Sequence, residues 1–318
     1  MFYPGKMERF IMERILVIGG SGFLGHNLIL RLRRAGYPVT CFDRYQAPFL
    51  NECGAGFIAG DIQEKSLIRE ALKEVDVVFH LACTILPQMS NSDPYYDVMS
   101  NVGGTLQMLD AAVENKVKKV IFLSSGGTVY GIPGSVPIRE DHPTNPTCSY
   151  GISKLAIEKY LRLYNQQHGL NTCSVRLANP YGPFQRVKAM QGVIPVFCYS
   201  ALMDEEIKIW GDGSVRRDFI YVDDAVSALM QIMKKEELPP ELNIGSGESV
   251  SINELLTLIH EITGKELKSV YTGKRDFDVP VNVLDISLAK SVLQWSPEFS
   301  LRDGLTHTVQ WIRENCIN

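Results

Sequence analysis

The feature that most constrains this chain is Ile15-Leu-Val-Ile-Gly-Gly-Ser-Gly-Phe-Leu-Gly25, a short apolar run that opens into Gly19, Gly22 and Gly25 at three-residue spacing. Ile15 to Ile18 reads as a buried parallel strand, and His26 to Arg34 carries Leu28, Ile29 and Leu32 at a helical period. The glycines fall where strand becomes helix: Gly19 allows the tight turn, Gly22 lets the backbone approach a pyrophosphate, and Gly25 lets the helix pack closely on the strand. Phe23 and Leu24 then open a helix whose free N–H groups and partial positive charge face the phosphates. Glycine turns also join strands to helices for steric reasons alone, so the next strand carries weight. Tyr37 to Phe42 reads as that strand and ends at Asp43, eighteen residues after Gly25, where an acid can accept from both ribose hydroxyls of a dinucleotide. An acid there repels a 2′-phosphate and favours NAD over NADP, while the adjacent Arg44 offers the opposite preference.

A chain of 318 residues with 45% apolar and 21% charged residues is long enough for one large domain or two lobes and has an ordinary globular composition. A net charge of −4 without a block of like charges argues against nucleic acid. Seven cysteines without C-x-x-C spacing fit reduced thiols in the cytoplasm and no metal site. Lys6, Arg9 and Arg14 ahead of an apolar run imitate a signal peptide, but glycines interrupt the run after about four residues, and no later stretch approaches the ~20 needed to span a membrane. Residues 1–13 are expected to be an N-terminal extension.

Strands and helices then alternate, the pattern of a doubly wound parallel α/β sheet with ligands at the carboxyl ends of its strands. Gly60-Asp61-Ile62 follows a third apolar stretch and places Asp61 at an adenine rim, or makes it a turn former. His80-Leu81-Ala82-Cys83 closes a fourth strand, and Asn101-Val-Gly-Gly-Thr105 begins a helix running to about Asn115. The next strand ends in Ser124-Ser-Gly-Gly-Thr-Val-Tyr-Gly131, whose small residues leave room for a nicotinamide end or simply turn the chain. Ser149 is expected to cap a helix that stops at Gly169, which puts Tyr150 and Lys154 on one face. A phenol is a poor base at neutral pH, but a nearby ammonium and a positive nicotinamide both favour its phenolate.

Gly19-x-x-Gly22-x-x-Gly25, Asp61, His80-Leu-Ala, Asn101-Val-x-Gly-Thr105, Val129-Tyr-Gly131, Tyr150-x-x-x-Lys154 and Arg176-x-x-Asn179-Pro-Tyr-Gly-Pro183 together resemble the extended short-chain dehydrogenase/reductases, closest to their nucleotide-sugar epimerase/dehydratase branch. The resemblance covers roughly residues 14 to 312. It implies a Rossmann domain over 14–176 and a smaller substrate lobe over 177–318, with segments near Phe219 to Asp224 and Leu242 to Gly245 returning to the first domain. It implies NAD held by Gly19, Gly22, Phe23, Leu24, Gly25, Asp43, Asp61, Ile62, Leu81, Ala82, Asn101, Tyr150 and Lys154. A nucleotide-sugar would meet Asn179, Val193, Lys208, Trp210, Arg217, Arg275 and Asp278, the arginines on the diphosphate and the segment Lys208 to Trp210 on the base, although core packing is the plainer role for an indole. Relatives pair as homodimers through helices matching 101–115 and 149–168.

One family position departs from the pattern. Relatives place a Ser or Thr where this chain has Gly126, and that hydroxyl meets the sugar O4. Ser124, Ser125 and Thr128 remain to replace it, and Thr128 is the candidate because residues two apart on an extended segment share a side. The acidic pair that 4,6-dehydratases carry at the positions of Gly127 and Thr128 is absent. The resemblance therefore implies a 4-epimerase working through a transient 4-keto sugar, with Tyr150, Lys154, Thr128 and Ser125 as its catalytic group. The alternatives are a reductase of 4-keto-6-deoxy sugars and a non-catalytic NAD-binding regulator.

Overall fold

The computed structural model describes residues 12–84, 87–187, 192–273 and 279–317. Seven parallel strands form the main sheet: β1 (Ile15–Ile18), β2 (Val39–Asp43), β3 (Gly56–Ala59), β4 (Val77–His80), β5 (Lys119–Ser125), β6 (Asn171–Leu177) and β7 (Glu241–Ile244). Their order is β7-β6-β5-β4-β1-β2-β3, so the direction of winding reverses between β1 and β4 and opens a crevice beyond their carboxyl ends. The apolar runs are continuous because both sheet faces are covered. Ile15 and Val17 enter the core on one face and Leu16 and Ile18 the core on the other.

The principal helices are α1 (Phe23–Arg34), α2 (Gly104–Glu114), α3 (Ser149–His168), α4 (Val193–Leu202), α5 (Val222–Lys234), α6 (Ile252–Thr263) and α7 (Leu301–Asn315). Among these, α1 and α5 pack together, α2 and α3 together, and α4, α6 and α7 form the helical part of the C-terminal lobe. Gly169 takes φ +68° and ends α3, as its place in the sequence predicts. The helix expected from Asn101 begins earlier: Val98–Gly103 is a π-turn that runs directly into α2.

The C-terminal half is interleaved with the sheet. After β6, Asn179–Tyr181 pairs in parallel with Phe219–Tyr221, which leads straight into α5, and β7 then joins the sheet beside β6. Outside the sheet, Glu206–Trp210 pairs in parallel with Lys268–Thr272 as a two-stranded ribbon. Asp218, wholly buried, accepts hydrogen bonds from the Ser246 and Leu284 amides and so ties the loop after β7 to the segment after the ribbon.

Candidate active site

At the end of β1, Gly19 has φ +83°, and a Cβ there would stand 2.7 Å from the Ala82 amide nitrogen. A Cβ at Gly25 would stand 2.5 Å from the Gly19 carbonyl oxygen, so both glycines are required by the closeness of β1, α1 and the chain after β4. Gly22 differs. It is exposed, its Cβ would meet only the Gly19 oxygen at 3.3 Å, and as the N-cap of α1 it brings no side chain to the helix amides. The first-turn N–H groups at Phe23 and Leu24 thus face open space above a bare glycine, the arrangement that accepts a pyrophosphate.

Asp43, at the end of β2, turns its carboxylate to this turn and accepts from the Ser21 amide at 3.0 Å and the Arg44 amide at 2.7 Å. The Arg44 guanidinium leans instead toward Asp61, 3.9 Å away. Asp61 also accepts from the Gln63 amide, so it forms a turn at the rim of the crevice. Ile62 is buried against Gly104, where a Cβ would come within 2.7 Å of it. Leu81 and Ala82 stand half-buried beside Gly19. The bare glycine turn and the acid behind it fit the pyrophosphate and adenosine ribose of NAD.

The carboxyl end of β5 and the first turn of α3 supply the reactive groups. Lys154 is buried, donates from Nζ to the Leu123 carbonyl at 2.8 Å, and lies 5.6 Å from the Tyr150 ring centroid. Burial lowers its pKa, against which Cys83, Asp97 and Glu158 act as negative neighbours. Ser125, the last residue of β5, lies beside Tyr150, where its hydroxyl favours the phenolate. Burial raises the phenol well above its usual value, with Cys83, Cys148 and Asp97 adding to the rise and Ser125 opposing it. The protein alone therefore holds Tyr150 as a phenol, because burial outweighs the neighbouring ammonium. A positive charge brought in with the cofactor has to supply the rest.

Thr128, the candidate for the missing family hydroxyl, follows in the turn after β5. Its Oγ1 is sealed from solvent without a hydrogen-bond partner, and its backbone and Cβ press on Gly151, whose own Cβ would stand 3.0 Å from the Thr128 carbonyl. Gly126 does not face the crevice either, because a Cβ there would stand 2.6 Å from Leu284 Cδ1 and 3.1 Å from the Arg176 carbonyl. Glycine at 126 admits the C-terminal lobe, whose Asn282 side chain donates to the Gly126 carbonyl at 3.0 Å. Ser124 turns the other way and donates to Glu158 at 2.5 Å. Of the three hydroxyls, Ser125 alone is brought to Tyr150.

Ser149 does not cap α3. Cys148 occupies the cap position with no side-chain bond, and the Ser149 hydroxyl donates to Asp97 at 2.7 Å. The helix amides are capped from a distance: Asn91 accepts from the Ser149 N–H at 2.9 Å and Ser90 from the Tyr150 N–H at 3.0 Å. Asn101 likewise spends its side chain inside the protein, donating to Asp97 at 2.7 Å and accepting from the Thr84 amide at 3.1 Å. His80 bonds Thr105 through Nε2 at 2.9 Å, and burial lowers its pKa to about 3, so the ring is neutral. Sequence reasoning missed Ser90, Asn91 and Asp97. The one legible signal was the spacing of Asp97 and Asn101, four residues apart and so on one helical face.

A model of the NAD dependent epimerase/dehydratase family matches residues 15–245. The chain belongs to that family. A putative UDP-glucose 4-epimerase of Methanocaldococcus jannaschii is 37% identical over 305 residues, covering 95% of this chain and 99% of the relative. Among solved structures, UDP-glucose 4-epimerase of Thermotoga maritima with UDP-glucose superposes with a TM-score of 0.90 at 36% identity, covering 95% of this chain and 99% of that one. UDP-glucose 4-epimerase of Thermus thermophilus in complex with NAD gives 0.88 at 30% identity, with coverage of 95% and 99%.

The remaining candidate residues lie in the C-terminal half. Asn179 opens the short strand after β6 and donates its side-chain amide to the Asp218 carbonyl at 2.8 Å. The Arg217 guanidinium is held by the Arg216 carbonyl at 2.9 Å and the Val279 carbonyl at 2.6 Å. Val193 opens α4, whose N-cap Gly192 has φ +87° and gives no capping side chain. On the ribbon, Ile207 and Ile209 point inward while Lys208 and Trp210 are exposed, with Lys208 Nζ 4.7 Å from the indole centroid. Core packing is thus excluded for Trp210, which is 43% exposed. Arg275 and Asp278 lie outside the described residues.

Proposed function

We propose that this protein is an NAD-dependent UDP-hexose 4-epimerase. The observation that carries the reading is the meeting of Ser125, Tyr150 and Lys154 at the carboxyl ends of β4 and β5, beside a phosphate turn fit for NAD. Bound NAD would accept hydride from C4 of the sugar and return it to the opposite face. The protein's own part is proton traffic and orientation. Tyr150 takes the proton from O4 and gives it back, Ser125 orients that oxygen from its place beside Tyr150, and Lys154 holds a positive charge near the phenol. Tyr150 acts on C4 from a fixed position, so the 4-keto sugar has to turn within the site between the two transfers.

Asn179, Arg217, Val193, Lys208, Trp210, Arg275 and Asp278 are proposed to hold the UDP half, with the exposed indole offering a stacking face to the base. Asp43, already turned to the phosphate turn, favours NAD over NADP, and Arg44 is drawn off toward Asp61. The domain division at residue 177, with residues 219–224 and 242–245 serving the nucleotide domain, is proposed with it. Work as a homodimer in the cytoplasm, supplying hexose for polysaccharide synthesis, completes the proposal. In support, Ile152, Tyr160 and Leu163 make an exposed stripe on α3, close to exposed Val98 and Met99 before α2. No described helix is long and apolar enough to cross a membrane.

The test is incubation with NAD and a panel of UDP- and dTDP-sugars, with products read by NMR. A new C4 epimer with no net change in NADH is expected from a UDP-hexose. In a parallel incubation with NADH and a dTDP-4-keto-6-deoxy sugar, steady NADH consumption without epimerisation in the first incubation would reassign the protein as a reductase.

A further inference from the structure

Asp97 is wholly buried, yet among the described residues the two hydrogen-bond donors it meets are neutral: Asn101 Nδ2 and Ser149 Oγ, each at 2.7 Å. Burying a carboxylate without a paired cation costs several kcal/mol, and an asparagine there could accept one of the two bonds and donate to the Ser149 hydroxyl in the other without that cost. A charge kept under those terms acts on something. The titratable groups around it are Tyr150, Lys154 and Cys148. Lys154 is buried too, and it donates to a neutral carbonyl, that of Leu123. Glu158, the other carboxylate near Lys154, is already paired with Arg176 at 2.7 Å, and Cys83 lies exposed at the mouth of the site.

We propose that Asp97 is a positioning residue for Tyr150 and Lys154: one carboxylate ties the first turn of α3 to the chain after β4 and is the counter-charge of the buried Lys154 ammonium. The tie runs through Ser149 on one side and through Asn101 to the Thr84 amide on the other. The charge sets a compromise, because it supports the ammonium and opposes the phenolate at once. This inference rests on the reading of Tyr150 and Lys154 as the reacting pair.

The test is a pH titration of Tyr150 in NAD-loaded protein carrying 13C-labelled tyrosine, with Tyr150→Phe to assign the resonance. Asp97→Asn removes the charge, so the Tyr150 midpoint is expected to fall by about one unit, and the acid limb of kcat, where the phenol loses its proton, to move down with it. Ser149→Ala keeps the charge and cuts the tie, so the midpoint is expected to stay while kcat falls about tenfold at unchanged KM. An unmoved midpoint in Asp97→Asn overturns the counter-charge, and an unchanged kcat in Ser149→Ala overturns the tie. Should Asp97→Asn fail to fold, Asp97→Ser removes the charge in its place and the same midpoint decides the counter-charge, while Ser149→Ala decides the tie. If the wild-type protein epimerises no nucleotide-sugar, the functional reading fails separately, and the tyrosine titration still reads the carboxylate.

Discussion

The two sides of the crevice are built differently. On the sheet side the reactive groups are held before any ligand arrives: Lys154 is fixed to a carbonyl, Ser125 lies beside Tyr150, and Ser90, Asn91 and Asp97 pin the first turn of α3. On the lobe side Lys208 and Trp210 stand exposed on a two-stranded ribbon and touch one another. The difference teaches a division of labour. Proton transfer demands geometry fixed to fractions of an ångström, whereas a planar base can be met by exposed side chains that settle on binding.

Substitutions on the two sides should accordingly separate in kcat and KM. The largest effect is expected from Tyr150→Phe, which removes the proton acceptor itself and should lower kcat about 10⁴-fold with the nucleotide-sugar still bound. Ser125→Ala should lower kcat about 10²-fold, while Thr128→Val, at a hydroxyl sealed from the crevice, should leave it within about threefold. The reverse ranking in steady-state kinetics would move the orienting role to Thr128 and break the sheet-side description. Gly126→Ser should not restore rate to any variant. It should cost about 1–3 kcal/mol of stability in thermal or denaturant unfolding because its side chain meets Leu284, and Leu284→Ala in the same chain should recover part of that loss. The smallest effect belongs to the lobe side: Trp210→Ala should raise KM about three- to tenfold and leave kcat unchanged, the size of one lost stacking contact. A fall in kcat there would mean that the ribbon helps fix the sugar.

The glycine turn, the strand end at Asp43 and the Tyr150–Lys154 spacing were legible in sequence because local geometry dictates them: Gly19 and Gly25 leave no room for a Cβ, and a helix places i and i+4 together. Ser125 was legible as a candidate but not as the choice, because the extended-strand alternation that grouped Gly126 with Thr128 ends where β5 does. Gly126 looked like a vacancy in the reactive group. Its meaning lay in Leu284, a residue 158 positions on, which no local pattern connects to it. The capping of α3 was misread for the same reason: a serine at a helix start predicts a cap, but Asp97 took its hydroxyl, and Asn91 and Ser90 supplied the caps across the fold. Trp210 was open between core and surface until strand pairing put Ile207 and Ile209 inward and the indole outward.

The most direct measurement is the fate of deuterium in UDP-[4-2H]glucose incubated with the NAD-loaded protein and followed by NMR. Hydride that leaves C4 and returns within one site, with Tyr150 moving only the O4 proton, predicts UDP-galactose that keeps its deuterium at C4, with no net NADH. Loss of the label to solvent, or a 4-keto UDP-sugar that accumulates together with an equal amount of reduced cofactor, would contradict the account.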